Sequence, residues 1–169
     1  MNAGLALARI VFGLMMAAHG SQKLFGWFGG YGIGAVSGFF ESLGFRPGRF
    51  FAAAASVAEL TSGLLLALGL FGPIGPALML SVMIVAAVSV HWSSGLFATS
   101  NGIEVPLLYA TGAAALGLTG PGGYSLDAWL GLAPLWTPAV TWTALAVGII
   151  GGVANLALRR TPAHAPAAA

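Results

Sequence analysis

FFAAAASVAELTSGLLLALGLF, residues 50–71, holds a single charged side chain, Glu59, among its 22 positions. As an α-helix the run rises ~33 Å, enough to cross a hydrocarbon core of ~30 Å. Its backbone must satisfy its own hydrogen bonds in lipid, so a helix is the expected form. Working outward, a second apolar run covers residues 3–23, interrupted by Arg9 and His19. A glycine-proline turn at residues 72–76 leads into a third run that ends near Trp92. A fourth, residues 103–118, is short, and a fifth, residues 138–158, is closed by Arg159 and Arg160.

Composition agrees with lipid as the solvent. Only 6% of the 169 residues are charged and 58% are hydrophobic, whereas a soluble domain carries roughly a quarter charged residues. The formal charge of +2 comes from few charges of any sign and forms no basic patch for nucleic acid. The absence of cysteine excludes disulfides, thiolate metal sites and cysteine nucleophiles. The N-terminal segment lacks the basic cluster of a secretory signal, so it reads as a retained first helix.

The expected fold is therefore an all-α membrane bundle of four or five transmembrane helices with short interfacial helices. In residues 33–45 the apolar Val36, Phe39, Phe40 and Leu43 recur at helical spacing, as in a helix lying in the headgroup plane. Ser125 is placed to cap a short helix with Asp127 in its first turn, Leu126, Trp129 and Leu130 forming its apolar side. The alanine-rich tail, residues 161–169, reads as disordered. With five spans, Lys23, Arg46, Arg49, Arg159 and Arg160 fall on one side, which the positive-inside rule makes cytoplasmic.

Ionisable side chains inside a bilayer cost roughly 2.5–3.5 kcal/mol on insertion scales, so each requires a partner, a cavity or a function. Antiparallel placement of the runs puts Glu59 near mid-membrane. It also brings His19, Lys23, His91, Asn101 and Glu104 toward the same half of the bundle, with Tyr109 able to add a hydroxyl. These converging polar groups are the candidate small-molecule site, with Glu59 and His19 as acid–base groups and the others as ligand contacts. Arg9 stands apart, placed to reach Glu59 or to snorkel to the far interface.

Each has a plainer reading. Glu104 and Pro106 suit the first turn of a helix, Lys23 can snorkel, and His91 beside Trp92 can be interfacial. Glu59 is the hardest to explain as structure alone. Metal or haem is less favoured, because the Glu-x-x-His spacing of bundle metal sites is missing. A quinone fits better: it needs an apolar slot, hydrogen-bond donors for its carbonyl oxygens, and an acid–base group.

Several motifs then carry a resemblance. They are Arg9 with Gly13 and His19-Gly20-Ser21-Gln22-Lys23-Leu24; Ala58-Glu59 with Gly63; and His91. Further along stand Asn101-Gly102-Ile103-Glu104 with Pro106, and Gly120-Pro121-Gly122-Gly123-Tyr124-Ser125-Leu126-Asp127. Over residues 5–127 the chain resembles the DoxX family of bacterial membrane proteins. The resemblance implies a four-helix core, taken as residues 1–132, with residues 133–160 as an additional transmembrane helix. It also implies a bacterial inner-membrane location and a quinone-linked oxidoreductase role like that of the thiosulfate:quinone oxidoreductase membrane subunit, with a redox protein partner. The alternative from the same resemblance is a non-catalytic scaffold or assembly factor. A Gly148-x-x-x-Gly152 motif on the last helix suits close packing, either on its own core or on a second copy in a homo-oligomer.

Overall fold

The computed structural model describes residues 2–160; the tail expected to be disordered lies outside them. The described chain is built from α1 (Asn2–Phe25), α2 (Gly32–Ser42), α3 (Gly48–Leu68), α4 (Ile74–Ala86), α5 (Glu104–Thr119), α6 (Leu126–Trp129) and α7 (Pro138–Ala157). A π turn, Ala87–His91, and a 3-10 turn, Trp92–Ser94, prolong α4. Four helices, α1, α3, α7 and α4 with its extension (Ile74–Ser94), are long and apolar enough to cross a membrane. The all-helical membrane bundle read from the sequence is the observed fold.

α1 and α3 form the tightest pair, because small residues let their backbones meet. A Cβ on Gly63 would lie 2.4 Å from Gly13 O and Ala17 N, and one on Gly20 would lie 2.6 Å from Ser56 O. Without a hydrophobic force between helices in lipid, such close van der Waals packing is what holds them. Met16, Leu66, Met79, Met83, Ala113 and Leu116 fill the buried centre from α1, α3, α4 and α5. α7 packs along α4: a Cβ on Gly148 would sit 2.4 Å from Ala77 O, and one on Gly152 would sit 2.9 Å from Ser81 O. The glycine motif is thus used against the chain's own α4.

The turn expected over residues 72–76 is shorter than that, since α4 already begins at Ile74. Pro76 falls in the first turn, where an amide donor has no helical partner to lose. α2 buries no residue fully. Ser125 caps α6 as anticipated, accepting from Ala128 N at 3.1 Å. α1 ends, α3 begins and α7 ends at one face of the bundle, here called the Lys23 end. The opposite face, where α1 begins and α6 lies, is the Arg9 end.

Candidate functional site

Glu59 is 1% exposed in the middle of α3, and Lys23 from the last turn of α1 forms a salt bridge to its Oε1. The close approach of the two helices brings the groups within reach. Gly20, one turn before Lys23, sits against Ser56 and Leu60, so the α1 side chains beyond it pass beside Glu59. The Lys23 side chain keeps 33% of its surface exposed, while Glu59 Oε2 is buried without a hydrogen-bond partner among the described residues. A buried carboxylate oxygen with no donor is costly to leave so.

Beside this pair lies a cavity of about 880 Å³. α2 roofs it with Val36, Phe39, Phe40 and Leu43, the apolar set read in the sequence as facing lipid. Phe51, Ala55 and Ala58 of α3 form one wall, Val82 and Val85 of α4 another, and Leu158, just past the end of α7, closes the far side. The polar groups at its surface are few: Lys23 and Glu59, then Gln22, Tyr31, Ser81, Ser89 and Asn155. A largely apolar hollow with a few converging polar groups is the usual form of a small-molecule site.

Of the eight candidate residues, only Lys23 and Glu59 line this cavity. The single convergent site expected from the sequence resolves into separate contacts. His19 Nδ1 lies 2.8 Å from Met15 O, and its ring meets Tyr109 edge-on at 6.0 Å between centroids. Tyr109 in turn meets Phe12 at 5.7 Å, so this trio joins α1 to α5. His91 Nδ1 lies 2.8 Å from the backbone O of Asn101, a residue in left-handed backbone at φ 63°. Glu104 Oε2 accepts from Ala98 N at 2.7 Å. His91, Asn101 and Glu104 therefore organise the connection between α4 and α5.

Arg9 neither reaches Glu59 nor snorkels. It is 2% exposed and donates through Nη1 to Pro121 O and through Nη2 to Tyr124 O. Beside it Asp127, fully buried, accepts from Phe71 N at 2.9 Å and Gly72 N at 2.6 Å. Its own backbone N donates to Gly69 O at 3.0 Å. The residues of the 120–127 motif thus clamp the start of α1 to the α3–α4 turn. Asp127 read as a helix-dipole partner in sequence; no local signal showed that its acceptors serve a turn more than fifty residues away. Ser81, Ser89 and Asn155 were missed as cavity residues for a similar reason, since a small polar side chain in an apolar helix carries no positional signal. The π turn was equally silent, though it turns Ser89 and Val90 onto the cavity. Among the described residues, no three histidine, aspartate or glutamate side chains gather as a metal site requires.

A bundle of membrane-crossing helices with a mostly apolar cavity and an ion pair on a buried carboxylate defines a multi-pass membrane protein. The family model DoxX matches residues 4–92, more than half of the chain, and the protein belongs to the DoxX family. Comparison with curated proteins and with solved structures gives no significant match. The matched region holds Arg9, His19, Lys23, Glu59 and His91, with α1 to α4 around the cavity. α5 to α7, and with them Asn101, Glu104, Tyr109 and the α7 wall, lie beyond it.

Proposed function

We propose that the protein binds a lipid-soluble quinone in the cavity beneath α2 and serves as the membrane component of quinone-linked redox chemistry, in the bacterial cell membrane. The observation that carries this reading is the ion pair between half-buried Lys23 and buried Glu59 at the wall of an apolar cavity of about 880 Å³. A bound quinone supplies the capacity to take up two electrons and two protons. The Lys23 ammonium is a hydrogen-bond donor for a carbonyl oxygen, one that Glu59 holds in place. Glu59 Oε2, buried without a partner, is the atom that takes up and returns a proton. The apolar faces of α2 and α4 exclude water and bind the ring by dispersion and area. His19 and Tyr109 act indirectly, fixing the α1 turn that carries Lys23, and the His91–Asn101–Glu104 contacts hold the end of α4. Electrons come from a donor outside the described chain, a redox partner or a small reductant.

Extraction of the protein with its native lipids, followed by quinone quantification, tests this. The expected result is a near-stoichiometric quinone in the wild type, reduced at least tenfold in Glu59→Gln and Lys23→Met of unchanged oligomeric state. Equal quinone in all three proteins, or none in the wild type, removes the redox reading and leaves the scaffold alternative.

A further inference from the structure

The chain holds five arginines, and four of them gather at one corner of the Lys23 end. Arg160 N donates to Gly44 O at 2.8 Å, and Arg159 Nε donates to Leu43 O at 2.9 Å. The Arg159 guanidinium also lies 5.8 Å from the centre of the Phe45 ring. These contacts pin the end of α7 to the connection between α2 and α3. That connection carries Arg46, and Arg49 follows in the first turn of α3.

Arg46, Arg49 and Arg160 are exposed, and among the described residues none of the three is paired with a carboxylate. Glu41, the acid in this part of the chain, accepts from Gly48 N at 3.1 Å through one oxygen and forms no ion pair with them. Membrane topology asks for positive charge on one side of the bilayer, not at one corner of it. The α4–α5 connection, residues 95–103, leaves the bundle at the same end and contains no basic residue. The concentration at one corner therefore needs a second cause.

Its position relative to the cavity supplies one. Phe45, Phe50 and Leu158 line the cavity and adjoin Arg46, Arg49 and Arg159 in sequence, while Leu43, also in the lining, accepts from Arg159 Nε. Unneutralised guanidinium groups thus stand beside a long apolar volume, the layout that an anionic amphiphile complements at both ends. We infer that this corner binds an acidic phospholipid, its phosphate on Arg46, Arg49 and Arg160 and an acyl chain in the cavity. Arginine matches phosphate oxygens with two parallel donors, and basic residues at headgroup depth attract anionic lipid. A free phosphate ion would satisfy the arginines but make no use of the apolar volume. The inference does not rest on the quinone reading, and the two ligands compete for one space.

Native mass spectrometry of the delipidated full chain, titrated with dioleoyl phosphatidylglycerol or dioleoyl phosphatidylcholine, is the test. The expected result is preferential retention of the phosphatidylglycerol, weakened roughly thirtyfold in Arg46→Gln/Arg49→Gln and much less in Arg46→Lys/Arg49→Lys. The lysine variant keeps the charge, so a general folding defect and a lost charge are told apart. Equal retention of the two lipids, or a glutamine variant that binds phosphatidylglycerol like the wild type, overturns the inference. Release of bound phosphatidylglycerol by inorganic phosphate at comparable concentration overturns it as well, assigning the corner to the free anion. Quinone content, measured on wild type and Glu59→Gln extracted with their native lipids, judges the earlier proposal separately.

Discussion

The two buried charges of α1 and α3 differ in how they are compensated, and the difference decides what each substitution should do. Glu59 has one counter-ion, Lys23, and one oxygen left over. Removing the lysine strands a carboxylate in low dielectric, which costs about 3–5 kcal/mol in comparable buried pairs. Removing the carboxylate leaves a lysine that already reaches solvent. Thermal unfolding in detergent should therefore show Lys23→Met less stable than Glu59→Gln, with Lys23→Met/Glu59→Gln recovering most of the loss. Equal destabilisation by the two single variants would contradict this account. Arg9 presents the opposite case, since its guanidinium serves two backbone carbonyls and stands close to Asp127. A lysine keeps the charge but has no fork, so Arg9→Lys should lose about 1–3 kcal/mol and Arg9→Leu more, by the same measurement. Glu59 was legible as an anomaly in the sequence because a carboxylate in mid-membrane is rare. The partners of Arg9 were not, because backbone carbonyls more than a hundred residues away carry no residue-type signature.

At the scale of elements, α2 shows how a correct pattern can be given an incomplete meaning. The spacing of Val36, Phe39, Phe40 and Leu43 located a helix with one apolar face, and that helix is present. Periodicity cannot say whether such a face meets acyl chains or a hollow in the protein, because both are apolar. Here the face roofs the cavity, which makes the volume below it open to a direct test. Ala58→Phe on α3 should occupy part of that volume while adding apolar contact, so ligand retention should fall at least tenfold with little change in the unfolding temperature. Retention at the wild-type level would show that the bound molecule lies elsewhere. The α4–α7 contact obeys the other rule, that of close approach. Gly148→Leu places a side chain where Ala77 O already stands, so it should destabilise the single chain. If it instead separates an oligomer of unchanged thermal stability, α7 makes its main contact with a second copy.

For the whole molecule, the number of crossings fixes which surfaces share a side, and α5 is the helix on which that number depends. Its 16 residues rise ~24 Å, short of the ~30 Å core, and it is not among the four helices long and apolar enough to cross by themselves. The polar contacts at its two ends settle its course through the bundle. Glu104, at its first residue, accepts from Ala98 N in the loop that holds His91, at the Lys23 end. Just past its last turn, Pro121 and Tyr124 receive Arg9, at the Arg9 end. His91 closes the extension of α4 at the Lys23 end and Arg9 lies toward the start of α1 at the other, so α5 runs the full depth of the fold, its flanking turns covering the remaining distance. The chain contains no cysteine, so single cysteines report on this without background. Ala98→Cys and Ala133→Cys, both at exposed positions, should react with a membrane-impermeant maleimide from opposite faces of sealed, uniformly oriented vesicles. Labelling of both from the same face would mean that α5 does not cross, and that α7 crosses in the reverse sense. With α5 crossing, Arg159 and Arg160 lie on the same side as Lys23, Arg46 and Arg49. The ion pair and the arginine corner then lie toward one leaflet of the membrane.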